Sequence, residues 1–310
     1  MVKIMKDQML NLLKKENILS EEEAKKINEI NEEQILEYII RLGSQNSEKI
    51  DDIKKYLTTG YIGRDIYYYD EILSTNSLAK YLGGIGIEEG TVIIAGSQTE
   101  GRGRSGKSWE SPKGGGIWLS IIIKPDIPLN YASFITLASG VAVCRELRKL
   151  GVDAKIKWPN DILIHGKKVS GVLTEAKITF NKLDYVVVGI GIDTDVDVDE
   201  LPESLKDGVT NLKDEVNDYK PDNEIIALVL NEFEKVYELF KNEEYETILS
   251  DWRNLSATIG SEVTVKQPLG ILINGYALGI NKEGNLIIEK DDGELVKIIA
   301  GELRHRNQNY

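Results

Sequence analysis

The chain has 310 residues, of which 41% are hydrophobic and 29% charged, and its formal net charge is −13. This is room for two domains and a substantial core, and so acidic a balance argues against a general nucleic-acid binder, which needs a basic face to displace counterions. One cysteine, Cys144, and two histidines, His165 and His305, exclude an intrachain disulfide and leave almost no soft ligands for zinc, so a reducing cytoplasm is expected and no metal site is assigned. No apolar run approaches the roughly 18 residues of a membrane span. The start, Met1 to Asp7, lacks a signal-peptide core.

Residues 1–60 read as a polar helical segment, with one apolar stripe at Met9, Leu12 and Leu13 and another at Ile35, Leu36, Ile39 and Ile40. Between them, Ser20 followed by Glu21, Glu22 and Glu23 reads as a helix start, a serine cap with acids in the first turn. A DNA-reading helix-turn-helix is disfavoured here, because the segment holds ten Lys+Arg against twelve Asp+Glu and offers no strand pair for a wing. Residues 61–256 alternate strands and helices like a mixed α/β catalytic domain. Strands are predicted at 66–69, 91–95, 117–123, 154–157, 169–177 and 185–192, and helices from Ser74 to about Gly84, Tyr131 to Leu150 and Asn223 to Lys241. Residues 257–310 hold short strands at 262–266, 271–280, 285–289 and 294–299 separated by turn residues such as Asp291-Asp292-Gly293. That pattern describes a small β-barrel of SH3-like size.

The octet Gly101-Arg102-Gly103-Arg104-Ser105-Gly106-Lys107-Ser108, closed by Trp109, carries three cations on a glycine-rich segment. It satisfies the phosphate-loop pattern G-x-x-x-x-G-K-[ST]. A phosphate loop, however, must run from a strand straight into a helix whose N–H groups hold the phosphates. Here Pro112 and Gly114-Gly115-Gly116 follow, which stop a helix within a turn or so, and the reading is rejected. Arg102, Arg104, Lys107, Lys157 and Lys168 are cations suited to another task, joining a carboxylate to a nucleotide phosphate. Two anions must meet there, and clustered positive charge in a water-poor site lowers that barrier.

The order and spacing of Ser74-Thr75-Asn76, Gln98, Gly101 to Trp109, Lys157-Trp158-Pro159-Asn160-Asp161, Lys168-Val169-Ser170-Gly171-Val172-Leu173 and Gly301-Glu302 resemble the biotin protein ligases over roughly residues 60–306. The resemblance implies an α+β fold like that of class II aminoacyl-tRNA synthetases, a mixed sheet with flanking helices, followed by an SH3-like barrel. It implies a two-step reaction in which biotin and ATP, with Mg²⁺, give biotinyl-5′-AMP, which then acylates one lysine of a biotin carboxyl carrier domain of a carboxylase. No permanent cofactor and no membrane partner are implied, and a homodimer is. Alternatives on the same fold are a ligase that also represses transcription through residues 1–60, and a lipoate or octanoate ligase.

In this frame Ser74, Thr75, Asn76 and Gln98 suit the ureido ring of biotin, a neutral group with paired donors and acceptors. Arg102, Gly103 and Arg104 would wrap the carboxylate and phosphates as a flap mobile without ligand. Trp109 is the candidate to cover the adenine, Lys168 to contact the biotin carboxylate and the new phosphoester, and Lys157 and Asn160 to hold the nucleotide, with Asn160 on a phosphate oxygen or on Mg²⁺. Asn160 and Asp161 are expected in a loop at a strand end, with Asp161 orienting the acceptor amine. One departure stands out. Where such ligases commonly carry Gly-x-Gly-Ile-Asn, this chain has Gly189-Ile190-Gly191-Ile192-Asp193, and a charged Asp193 on the adenine side could accept a hydrogen bond but not donate one.

Overall fold

In the computed structural model, residues 32–306 are described. The stripe at Met9 to Leu13 and the cap at Ser20 lie outside them. The protein is α+β. A seven-stranded sheet has the order β1-β2-β3-β7-β6-β5-β4, and a five-stranded antiparallel sheet has the order β11-β10-β9-β8-β12. The large sheet comprises β1 (Ile66–Tyr69), β2 (Val92–Ala95), β3 (Gly116–Ile123), β4 (Lys155–Lys157), β5 (Asp161–Ile164), β6 (Lys167–Thr179) and β7 (Lys182–Asp193). Only the β1–β2 pair is parallel among them, as the helical connection between those two strands allows.

Strand alternation sorts the side chains onto two faces. Ile117, Leu119, Ile121 and Ile123 of β3 join one core with Val186 and Val188 of β7, under helices α4 (Phe134–Lys149), α5 (Asp222–Lys241) and α6 (Tyr245–Leu255). Ile122 of β3 and Val187 of β7 point the other way. There they meet Leu78, Ala79 and Leu82 of α3 (Thr75–Gly84), and the same cluster includes Ile39 of α1 (Glu32–Gly43). Ile50 and Ile53 of α2 (Ser47–Lys54) enter the first core. Residues 32–54, read from sequence as part of a polar segment, therefore bury three isoleucines in the cores on the two faces of the large sheet. Each such side chain contributes about 1.5–3 kcal/mol of transfer free energy.

α4 is apolar nearly all round and is buried along most of its length, as its run Ala138 to Cys144 requires. It ends before Gly151, whose φ of 96° is a left-handed turn that glycine adopts without strain. α5 follows Pro221 and carries Asp222 and Glu224 in its first turn and Lys241 in its last, charges that suit the helix dipole. The barrel strands are β8 (Glu262–Lys266), β9 (Leu272–Ile280), β10 (Leu286–Lys290), β11 (Leu295–Ile298) and β12 (Glu302–His305). Their inward residues Val263, Val265, Ala277, Leu286, Ile288 and Ile298 are continuous with the first core. The buried Trp158 joins the two sheets: its N–H donates to Thr258 Oγ1 at 2.9 Å and its indole to the Gly284 carbonyl at 3.4 Å. Among the described residues no helix is long and apolar enough to cross a membrane.

Candidate functional site

An inner cleft opens on the α3 face of the large sheet, and Ser74, Thr75, Asn76, Gln98, Arg102, Trp109, Asn160 and Lys168 are among its walls. Ser74 occupies the N-cap position of α3 but its hydroxyl makes no capping bond. It is buried, at 2% exposure, and has no hydrogen-bond partner among the described residues. A buried hydroxyl left so costs roughly 1–3 kcal/mol, so on a residue that lines a cleft it marks a position for a ligand acceptor.

Its neighbours are engaged with one another. Gln98 Oε1 accepts from the Thr75 N–H at 2.8 Å and stands 3.2 Å from the Thr75 hydroxyl, while Gln98 Nε2 donates to Ser111 Oγ at 2.8 Å. Ser120 Oγ lies 2.6 Å from Asn76 Oδ1 and 2.8 Å from Thr75 Oγ1. Asn76 Nδ2 donates to Glu175 Oε2 at 3.1 Å. Asn76 is thus held by its own network, which orients the wall of the cleft. Gly189 explains the closeness: a Cβ there would fall 2.1 Å from Asn76 Oδ1.

The basic octet is a short ribbon. Arg102 bridges Ser108, the Gly103 N–H donates to Lys107 O at 2.8 Å, and the Trp109 N–H donates to Gly101 O at 2.9 Å. Ser105 and Gly106 make the turn at φ of 56° and 77°. No helix follows; the chain enters β3 at Gly116, which disposes of the phosphate-loop geometry. Three contacts pin the ribbon across the cleft. Arg104 Nη1 donates to Asn160 Oδ1 at 3.1 Å, Lys107 Nζ pairs with Glu302 Oε2 at 2.9 Å, and Trp109 lies on Gly171 and Gly191, where a Cβ would come within 2.8 Å of the indole. Lys168 Nζ sits 4.7 Å above the same ring, a cation–π contact.

At Asn160 and Lys168 the inner cleft meets an outer one, lined by Arg104, Lys107, Lys157, Asp161, Glu302 and Arg304 among others. Burial lowers the pKa of Arg104 and of Lys157, with Asp161 opposing the shift in both and the neighbouring cations Lys168, Arg304 and Lys107 adding to it at Lys157. Positive charge is thus concentrated where hydration is thin. Asp161 opens β5, opposite Lys157 in register, and is not in a loop. The turn 158–160 is short enough for the chain to re-enter the sheet at once. Its Oδ1 holds Lys168 Nζ at 2.6 Å.

Gly103 and Asp193 do not line either cleft. Asp193 is buried at the end of β7 opposite Gly116. Burial pushes its pKa up to about 8, against a smaller lowering by Lys168. Burial thus favours the neutral acid over the expected negative charge, and a protonated carboxyl has a hydrogen to donate.

The family model of the biotin/lipoate A/B protein ligase family matches residues 70–193, and that of the biotin protein ligase C-terminal domain matches 258–306. The chain is 36% identical to the bifunctional ligase/repressor BirA of Bacillus spizizenii over 253 residues, 81% of this chain and 77% of that one. It is 34% identical to the biotin–[acetyl-CoA-carboxylase] ligase of Mycobacterium tuberculosis over 75% and 85%. The chain belongs to the biotin protein ligase family. As a member it is a ligase enzyme. A solved biotin protein ligase from Aquifex aeolicus in complex with biotin and ATP superposes with a TM-score of 0.67 at 28% identity, covering 78% of this chain and 99% of that one.

Within this ligase, sequence reasoning missed Ser111, Ser120, Glu175 and Arg304. Ser120 lies in an apolar strand run, Gly116 to Ile123, and a lone serine at an inward position of such a strand was the available signal. Arg304 had none, since β12 follows the last predicted strand.

Proposed function

We propose that this chain activates biotin with ATP across the two clefts and passes the biotinyl group to a lysine of a carrier domain. The inner cleft takes the ureido ring against Ser74, Thr75 and Gln98. The outer cleft takes the phosphates against Arg104, Lys107, Lys157 and Lys168, and Trp109 offers a flat surface to the adenine. A biotin carboxylate oxygen attacks the α-phosphorus, pyrophosphate leaves, and the acceptor amine then attacks the acyl carbon and releases AMP. Arg102, Arg104 and Lys168 stand where negative charge gathers in the first step. Asp161 keeps Lys168 aimed and presents a carboxylate to the arriving lysine.

The observation that carries this reading is the Ser74 hydroxyl, buried and unpartnered among the described residues, on a residue lining a cleft that shares Asn160 and Lys168 with a strongly cationic one. The residues do not fit a protein-built Mg²⁺ site. Among the described residues no three His, Cys, Asp or Glu converge, Asn160 Oδ1 accepts from Arg104, and Asp161 and Glu302 are paired with lysines. Mg²⁺ enters on the ATP phosphates, as it does where substrate supplies most of its ligands. The match of residues 258–306 to a biotin ligase C-terminal domain favours biotin over lipoate or octanoate. Incubation with ATP, Mg²⁺ and each acid, followed by mass analysis, should yield an adenylate with biotin alone; an adenylate only from lipoate or octanoate would refute the choice.

We place the protein in the cytoplasm, to which a buried reduced Cys144 is suited, and read it as a homodimer. Light scattering with and without biotin tests the second point. The relatives named ligase/repressor bring a second reading, repression through the amino-terminal segment. Biotin-dependent gel shift of promoter DNA by the full chain, lost on deletion of residues 1–31, would support it.

A further inference from the structure

Glu175 of β6 lies just outside the inner cleft and touches three residues with different duties. Its side chain is 21% exposed. Oε1 is 2.9 Å from Lys80 Nζ and 3.6 Å from Arg102 Nη1, while Oε2 accepts from Asn76 Nδ2 at 3.1 Å. Burial raises its pKa, but the hydrogen bonds from Lys80 and Asn76 outweigh this and hold it below the ordinary value. Glu175 is therefore an anion at neutral pH, fixed on two sides by groups that do not belong to the basic ribbon. Its contact with Arg102 is the long one, an ion pair without a hydrogen bond. Arg102 is also the most exposed of the four, at 47%.

We propose that Glu175 is a positioning residue that parks Arg102 over the cleft mouth and yields it to the carboxylate of the substrate, thereby setting how far the cleft prefers an acid to its neutral analogue. The inference rests on the reading that biotin enters with its carboxylate toward Arg102. Charge counting gives it direction. Before binding, Lys80 and Arg102 share one carboxylate; with the substrate, two cations face two carboxylates. Glu175, tied to Asn76 and Lys80, cannot follow Arg102 when the guanidinium turns to the ligand. Its contribution to acid binding is therefore unfavourable twice, by competing for Arg102 and by standing near a second anion.

Calorimetric titration without ATP, using biotin and biotinol, its alcohol analogue, tests this. Glu175→Gln should tighten biotin by roughly three- to fivefold, the worth of one partly exposed ion pair, and leave biotinol unchanged. Lys80→Met should move the ratio the other way, weakening biotin by roughly threefold, because Glu175 then has Arg102 as its remaining cation. Both changes should shrink in 0.5 M salt. Equal shifts for acid and alcohol, or no shift in either variant, would overturn the proposal and leave Glu175 a structural partner of Asn76. A parent protein that bound neither compound would instead overturn the assignment of the cleft, and this inference with it.

Discussion

The inner and outer clefts share Asn160 and Lys168 as walls but are made of opposite materials. The inner one sets neutral polar groups beside apolar Leu119, Val172 and Ile190, with Arg102 and Lys168 as its cations, and the hydrogen bonds of the neutral groups are mostly spent on each other, as in the chain Thr75, Gln98, Ser111. One orphan hydroxyl, Ser74, is left over. Such a wall is rigid and selects by shape and by a few donors. The outer cleft gathers Arg104, Lys107, Lys157, Lys168 and Arg304 with Asp161 and Glu302 as counter-charges. Excess positive charge in a half-buried site is costly at rest and is stabilised when anions arrive. The inner cleft is thus prepared for recognition, and the outer one for charge that develops in the reaction.

Substitutions can break this division at either end. The largest effect is expected from Lys168→Ala, at the boundary, which should lower adenylate formation by roughly 10²–10³-fold, measured by single-turnover mass analysis, because it removes a charge beside the reacting groups. Arg104→Gly should cut the tie to Asn160 that closes the ribbon. Adenylate still forms but escapes, so labelling of a bystander protein should rise about tenfold or more, since a lid that no longer seals exposes a mixed anhydride to solvent. A variant that retains the adenylate like the parent would refute the lid. Ser74→Ala should weaken biotin by roughly tenfold through one lost hydrogen bond. It should raise the melting temperature of the ligand-free protein by about a few degrees, since it removes a buried hydroxyl that bonds to none of the described residues.

The smallest effect concerns stability. Burial pushes the Asp193 pKa up to about 8, far above the ordinary aspartate range. The folded protein therefore binds this proton more tightly than the unfolded chain, and stability is lost as pH rises through that window. Asp193→Asn removes the titrating group. Its advantage in melting temperature should be least near pH 4 and grow to a few degrees by pH 8, to be read by calorimetry; an advantage independent of pH would contradict the buried carboxyl.

Much of this was legible in the residues. The strand at Ile66 to Tyr69 and that at Glu262 to Lys266 have the predicted ends, since short apolar or alternating runs between turn residues leave little choice of boundary. α6 was not foreseen: its buried residues Ile248, Leu249 and Trp252 form too short a stripe to show helical period on their own. β5 was missed because Pro159 and two polar residues suggested a loop, whereas Asp161 pairs at once with Lys157. Most residues that wall the two clefts carried a signal of type and spacing, but their partners did not.

Local sequence by itself determined most of the strand and helix pattern, the segment of glycines and arginines, and the set of cations, because turn chemistry and periodicity act over a few residues. Tertiary structure alone decided that Ser74 would stand unpartnered while Asn76 was held, that Asp161 would take Lys168, and that burial would keep a proton on Asp193. Those outcomes depend on distances between residues far apart in the chain and on the loss of water around them, neither of which a local pattern contains.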